Sequence, residues 1–373
     1  MAPAPAAPRG GAVTAAVAAL SLPGARVHAP AGRLAVLARE VTTMHRRTLL
    51  LGSAAGLAVP PAVRPAASQP AAGRAAARIG WLTAQREASL TPYLGVFRAA
   101  LAEAGWVEGR NLEVEYRFGD DDDGRVPGFA AELARLPVSV IVVQGAAVRI
   151  LARLGLPIPA VYVLSADPVL AGLAESLSRP RASMTGVTLM AAEVNAKRLE
   201  ILRDLVPGLR RVVLLGNPDH AGDHLERAVS EETAGRLGVV ITGFRTRTLA
   251  ELHAAFAAMA ADPPGAISLF PDGFATQNRG RVIDFALGRR LPLMSGWPVF
   301  AEGGALCTYG ARITDSYRSL AACVDRVLRS ARPADLPIER PTSFELVVNL
   351  RTARAIGVAV PLDLLARADQ VIE

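Results

Sequence analysis

The side chains in this chain that could do chemistry are few, and they cluster in short polar steps that follow apolar runs. Asn217-Pro218-Asp219-His220, with Asp223 and His224 close behind, puts two imidazoles beside two carboxylates. Such a set could hold a divalent metal if the histidines shared one helix face. Gly222 interrupts any such helix and Asp223 is placed to cap the next one, so this stretch is read as a solvated loop with no metal site. Asp120 to Asp123 lack the alternating spacing and acidic closing residue of a calcium loop and are read as a solvated acidic turn. No G-x-S-x-G elbow, G-x-x-x-x-G-K-[ST] loop or G-x-G-x-x-G turn after a first strand occurs, and the histidines have no partner array resembling a triad. An enzyme and a nucleotide cofactor are therefore not indicated. What remains are groups suited to holding a small solute without reacting with it: Thr83, Gln85, Gln144, Ser165, Asp167, Asn217, Asp272 and Trp297.

Those residues belong to a regular frame. From Arg78 onward β-branched apolar runs alternate with amphipathic stretches, the pattern of an α/β protein built on parallel sheets. Strands are predicted at 78–82, 111–116, 139–143, 159–163, 211–215, 238–243, 265–270 and 291–294, and helices at 91–104, 126–136, 193–205, 223–236, 248–260 and 276–288. In the first helix Tyr93, Leu94, Phe97, Ala100, Leu101 and Ala104 recur at three- and four-residue spacing before Gly105 stops it. Open α/β sheets bind ligands beyond the carboxyl ends of their strands, and each candidate above follows a predicted strand.

Each candidate also has a plainer reading. Gln144-Gly145-Ala146 opens a helix whose free amides favour a carboxylate, or it is an ordinary strand–helix turn with glycine for close packing. Asp167, before Pro168, caps a helix on local grounds. Asn217-Pro218 and Pro271-Asp272-Gly273 are also turn chemistry, and Trp297 either stacks on a planar ligand or covers the core. Thr83 and Gln85 are the weaker members of the set.

The net charge of +7 invites a nucleic-acid or acidic-membrane reading, but it is not evenly spread. Residues 1–78 hold nine arginines against the single acid Glu40, a balance of +8 that leaves −1 for residues 79–373. A phosphate-binding stripe is not supported, and no nucleic-acid partner is expected. Arg46-Arg47 runs straight into an uncharged apolar stretch too short to span a bilayer, followed by prolines and small residues. Residues 44–77 are therefore read as a removable leader of twin-arginine type with its lead-in, and residues 1–43 as an extension ahead of the true start at Met44. The mature protein is expected to be periplasmic, soluble, monomeric and without a lipid anchor. Cys307 and Cys323 either pair in that oxidising compartment or remain buried free thiols.

About 295 residues follow the leader, more than one α/β layer gathers around a single core, so two lobes with a cleft between them are expected. The division is placed near residue 188. The first lobe takes 78–187 with a return segment at 305–334, and the second takes 188–304 with 335–373.

Several segments stand together in order over the whole mature chain: Arg78-Ile79-Gly80-Trp81-Leu82, Gly105-Trp106-Val107-Glu108-Gly109-Arg110-Asn111, Asp167-Pro168-Val169-Leu170-Ala171-Gly172-Leu173, Lys197-Arg198-Leu199-Glu200 and Val213-Leu214-Leu215-Gly216-Asn217-Pro218. They are followed by Glu302-Gly303-Gly304 to Tyr309-Gly310 and a close running from Phe344-Glu345-Leu346 to Ala368-Asp369. In this the chain resembles the substrate-binding-protein family of ABC transporters that includes tryptophan- and tyrosine-type uptake components. The resemblance implies a type I periplasmic-binding-protein fold, a hinge of three crossings, closure on an amino acid or related small molecule, and docking on a membrane permease. In that family the turn at Gly145 commonly carries glycine followed by a hydroxyl residue, and Ala146 stands there instead. A ligand sensor for a membrane receptor would use the same cleft.

Overall fold

The structure, a computed structural model, describes residues 76–373 apart from Ala182 and Ala221. The leader and the extension read in the preceding residues lie outside the described residues.

Among the described residues, fourteen strands and twelve α-helices follow in order. The strands of the first half are β1 (Ala77–Thr83), β2 (Leu112–Phe118), β3 (Val140–Gln144), β4 (Ala160–Leu164), the short pair β5 (Ala174–Ser176) and β6 (Arg179–Pro180), and β7 (Met184–Thr188). Those of the second half are β8 (Arg211–Gly216), β9 (Val240–Arg245), β10 (Ala266–Leu269), β11 (Leu293–Ser295), β12 (Cys307–Ala311), β13 (Phe344–Asn349) and β14 (Gln370–Ile372). The helices are α1 (Glu87–Glu103), α2 (Val126–Arg135), α3 (Ala147–Leu154), α4 (Ala191–Leu205), α5 (Asp223–Leu237), α6 (Leu249–Ala261), α7 (Gly273–Gln277), α8 (Arg279–Gly288), α9 (Pro298–Gly303), α10 (Ile313–Leu328), α11 (Leu350–Ile356) and α12 (Leu362–Arg367).

One sheet runs β2-β1-β3-β4-β7, parallel throughout. Every residue of β3 and β4 is buried, as a parallel sheet covered on both faces requires. On one face Ile79 and Trp81 meet Leu90, Leu94, Phe97 and Leu101 of α1 and Tyr317, Leu320 and Val324 of α10. Those α1 residues lie four, three and four apart, one stripe of the helix. On the other face Leu82, Ile141 and Val143 meet Ala130, Leu133, Val148 and Leu151 of α2 and α3. Each fully buried large side chain contributes about 1.5–3 kcal/mol.

The second sheet runs β14-β13-β12-β11-β10-β8-β9, parallel except where β13 opposes β12. Its faces are covered by α4 with α11 and α12, and by α6 with α8 and α9. The mixed α/β class with helix-flanked parallel sheets expected from the alternation of runs is the one found.

Residues 184–188, just ahead of the division placed near residue 188, form β7, the outer strand of the first sheet. Two placements differ from the sequence reading. The return strand assigned to the first lobe is β12, which pairs with β11 in the second sheet, and only α10 packs on the first. The short α9 leaves β12 room to lie only beside the strand it has just left, the ordinary outcome of a short crossover. Residues 335–339, assigned to the second lobe, remain with the first. There Thr185 Oγ1 donates to Leu336 O at 2.7 Å and Thr188 N donates to Glu339 O at 2.9 Å. The helix predicted at 276–288 is two helices broken at Asn278, and α1 begins four residues earlier than predicted, with Pro92 inside it. Cys307 and Cys323 are free, buried thiols in the cores of different sheets.

At Gly310 a Cβ would overlap the Gly296 carbonyl, and at Gly296 it would overlap the Arg198 guanidinium. Gly310→Ala is expected to lose about 1–3 kcal/mol in thermal or urea unfolding. Gly235→Ala, in the open on α5, is expected to gain about 0.5–1 kcal/mol.

Candidate functional site

The strand tips of both sheets meet in a set of polar contacts. On the first sheet Gln144 ends β3 and donates from Nε2 to Gln85 Oε1 at 3.0 Å and to Thr83 Oγ1 at 3.3 Å, while the Tyr317 hydroxyl donates to Gln144 Oε1. Thr83, Gln144 and Tyr317 are buried, and the Tyr317 ring lies 5.3 Å from that of Tyr93. Burial, with smaller effects from Glu302 and Glu345, pushes the Tyr93 hydroxyl up to about 12. The lobe-one tip is thus a neutral, hydrogen-bonded platform. Gly145 adopts φ +61°, a left-handed turn that glycine permits, and with Ala146 it is exposed at the start of α3. No side chain caps that helix.

Asp167 is committed locally: Oδ1 accepts from Val169 N at 2.7 Å and Leu170 N at 3.0 Å, closing a turn rather than a regular helix. Ser165 instead reaches the other half of the molecule, where its Oγ lies 2.6 Å from His220 Nε2. His220 is mostly buried rather than in a solvated loop, which overturns the sequence reading. Gly222, not Asp223, is the residue before α5, and Asp223 is buried and paired with Arg227 at 2.7 Å. Asp121 in the acidic run likewise has a side chain only 7 % exposed, beside Arg86. Among the described residues no three His, Cys, Asp or Glu side chains gather as a metal-ligand set.

Behind His220 runs a buried charged chain. Glu226 Oε1 lies 3.6 Å from His220 Nδ1, Glu226 Oε2 accepts from Asn195 Nδ2 at 3.1 Å, and Asn195 Oδ1 accepts from Arg198. Arg198 Nε then donates to Tyr309 O at 2.7 Å. Burial lowers Arg198 to about 10 against the opposing pull of Glu226, so it stays charged at neutral pH. Burial raises Glu226 from 4.5 to about 7 even though Arg198 and Asn195 hold it down. For both partners the loss of water outweighs their attraction across one intervening amide.

Serine, histidine and glutamate in that order have the outline of a nucleophile triad, but the protons are in the wrong places. Gly222 N–H donates to His220 Nδ1 at 3.2 Å, which leaves the ring proton on Nε2, pointing at Ser165. The serine oxygen accepts, so no base is available to take its proton. Burial also lowers the His220 value and favours this neutral ring.

Because the raised Glu226 value adds stability fully below its ordinary 4.5 and loses it as pH rises through about 7, the group disfavours the fold at high pH. Glu226→Gln removes that dependence. Relative to the parent, the variant is expected to gain up to about 3 kcal/mol between pH 4.5 and pH 8, read as the difference between their unfolding curves. The opposite trend from His220 is common to both proteins.

On the second sheet Asn217 Oδ1 accepts from Asp219 N at 3.0 Å. Asp272 caps α7 through Oδ1, which accepts from Ala275 N at 2.6 Å. Its Oδ2 is buried with no hydrogen bond among the described residues, and burial raises the carboxyl, partly offset by Ala275, His220 and Asn217. Trp297 follows β11 and packs against the cores of both sheets. The structure therefore brings Ser165, Asn217 and Asp272 around His220, joins Thr83, Gln85 and Gln144 in one platform, and sets Trp297 across the two halves. Asp167, Gly145 and Ala146 stand outside these contacts. The sequence reading missed Tyr317, Asn195, Arg198 and Glu226; Arg198 carried one signal, a cation inside a mostly apolar helix stripe.

Two helix-flanked parallel sheets with facing strand tips define a type I periplasmic-binding-protein fold, a class built to hold a small molecule between two halves. The chain belongs to the ABC transporter substrate binding protein family, whose profile matches residues 86–372. A relative from Clostridioides difficile (strain R20291), named tyrosine-binding protein, is 18% identical over 265 residues, 70% of this chain and 75% of that one. Among solved structures, the ABC domain from Streptococcus pneumonia in complex with L-Trp matches with a TM-score of 0.75 at 21% identity, covering 80% of this chain and all (100%) of that one. A conserved domain protein from Vibrio cholerae O1 biovar El Tor matches with a TM-score of 0.74 at 20% identity, covering 79% and 99%. At these identities the structures speak to the fold alone. Family and fold make the protein a substrate-binding component rather than an enzyme. Among the described residues no helix is long and apolar enough to cross a membrane.

Proposed function

We propose that this protein is the exported, periplasmic capture component of an ABC importer, a monomer that closes on an amino acid or a related small solute and hands it to a permease in the inner membrane. The observation that carries the ligand class is Asp272: a buried strand-tip carboxyl beside His220 and Asn217 whose Oδ2 makes no hydrogen bond among the described residues, a place that a ligand ammonium would fill. Trp297 lies across both cores, where an aromatic face can stack on a planar group. Thr83, Gln85, Gln144, Ser165 and Asn217 supply hydrogen bonds. The Gly145-Ala146 turn and Asp167 form the rim. The names of the tyrosine-binding relative and the L-Trp complex support an aromatic amino acid as the first probe.

Closure uses three chain crossings, near 188–191, 311–313 and 339–344, where the chain leaves one sheet's core for the other's. The Ser165–His220 bond is then a closed-form contact, and the ligand's preference for that form drives the motion. Native mass spectrometry of the mature protein, purified without refolding, tests the reading together with calorimetric titration of L-tyrosine and L-tryptophan. A retained amine-bearing solute, or binding of either amino acid, supports it. Protein that carries no solute and binds neither would overturn it.

A further inference from the structure

Beside the tip of β8, between the two halves, lies an open polar space of about 810 Å³, within the range of small-molecule sites. Arg149 enters it from α3 on the first half, and Arg227 and Arg245 from α5 and β9 on the second. Their donors are mostly unspent. Arg149 gives one bond, from Nη1 to Asp219 O at 3.0 Å, and Arg245 donates no hydrogen bond to any described residue. Arg227 is held rigidly: Nε bonds Asp223 at 2.7 Å, and Nη2 bonds Phe244 O at 3.0 Å and Gly216 O at 3.3 Å. Its Nη1 makes no hydrogen bond to a described residue and lies so close over Gly243 that a Cβ there would collide with it. Three guanidiniums therefore face two lining carboxylates, and one of those, Asp223, is already paired with Arg227; the other, Glu231, is exposed.

We propose that this arginine pocket binds a small anion, the carboxylate or phosphate of a solute, and that the anion bridges the two halves. The planar fork of Arg227, fixed on a glycine-paved floor, matches the paired oxygens of either group. Without an anion, Arg149 on one half repels Arg227 and Arg245 on the other, so anion binding favours the closed arrangement. This goes beyond the capture reading and depends on it only for the effect on closure. His220 lines the pocket too and connects it to Ser165.

Calorimetric titration of the mature protein with succinate, inorganic phosphate and uncharged succinamide tests the site. The parent should bind at least one of the two anions and not succinamide, and which anion binds separates a carboxylate from a phosphate source. Arg245→Gln should weaken that binding about tenfold, and the Arg149→Gln/Arg245→Gln pair should abolish it, with circular dichroism unchanged. Both positions are at the surface or partly exposed, so folding is retained. The proposal is overturned if neither anion binds the parent, if succinamide binds as well as succinate, or if the double variant keeps the parent's affinity. Titration of L-tyrosine into the same variants keeps the two readings apart, because loss of the anion with retained cleft binding, or the reverse, assigns failure to one of them.

Discussion

Arg198→Met is expected to cost about 3–5 kcal/mol of unfolding free energy at pH 8, the penalty for leaving one member of a buried charged network without its partner. The Arg198 side chain is 2 % exposed and links α4 to the carbonyl of Tyr309 in β12 and, through Asn195, to Glu226. Removing it leaves the carbonyl without its donor and takes away the cation that offsets the Glu226 charge. Glu226 can escape by taking a proton, since its value is already near 7, so the loss should shrink toward about 1–3 kcal/mol at pH 5. Urea unfolding at the two pH values checks the prediction, and adding Glu226→Gln to Arg198→Met should recover part of the loss at pH 8. Equal losses at both pH values would show that Arg198 acts through packing rather than through its charge.

Asp272→Asn is expected to leave the fold intact and to weaken solute binding on the order of a hundredfold, about 3 kcal/mol. Asparagine caps a helix as well as aspartate, so the bond to Ala275 N survives. The change removes a buried carboxyl that burial already disfavours as an anion and whose Oδ2 makes no hydrogen bond among the described residues. The ligand-free variant should therefore unfold at the same temperature as the parent or slightly higher, while a ligand ammonium loses its counter-charge. Calorimetry with the solute recovered from the parent, beside a thermal scan of the ligand-free protein, measures both. Undiminished affinity would remove Asp272 from the ligand and leave it only the cap of α7.

The contrast between these two residues marks what could be read in advance. Asp272 stands directly after a strand, in a Pro271-Asp272-Gly273 turn, so its place at a strand tip follows from local order. Arg198 stands in a family segment, but its partners Asn195, Glu226 and Tyr309 lie 3, 28 and 111 positions away, and local order does not join them. His220 shows the limit from the other side: a histidine among aspartates and glycines has the composition of a solvated loop, and only the approach of Ser165 from the other sheet buries it.

The sequence by itself determined the alternation of strands and helices, the strand tips, the glycine turn at Gly145 and the family, because each is written in short-range periodicity, turn chemistry or the order of segments. Tertiary structure alone decided that β12 joins the second sheet, that Trp297 touches both cores, and that Glu226 and Arg198 lie buried behind a mostly buried His220. The reason is physical. Periodicity says which face of an element is apolar, whereas the partner of that face, and the water removed from a charge beside it, depend on elements that meet only once the chain has folded.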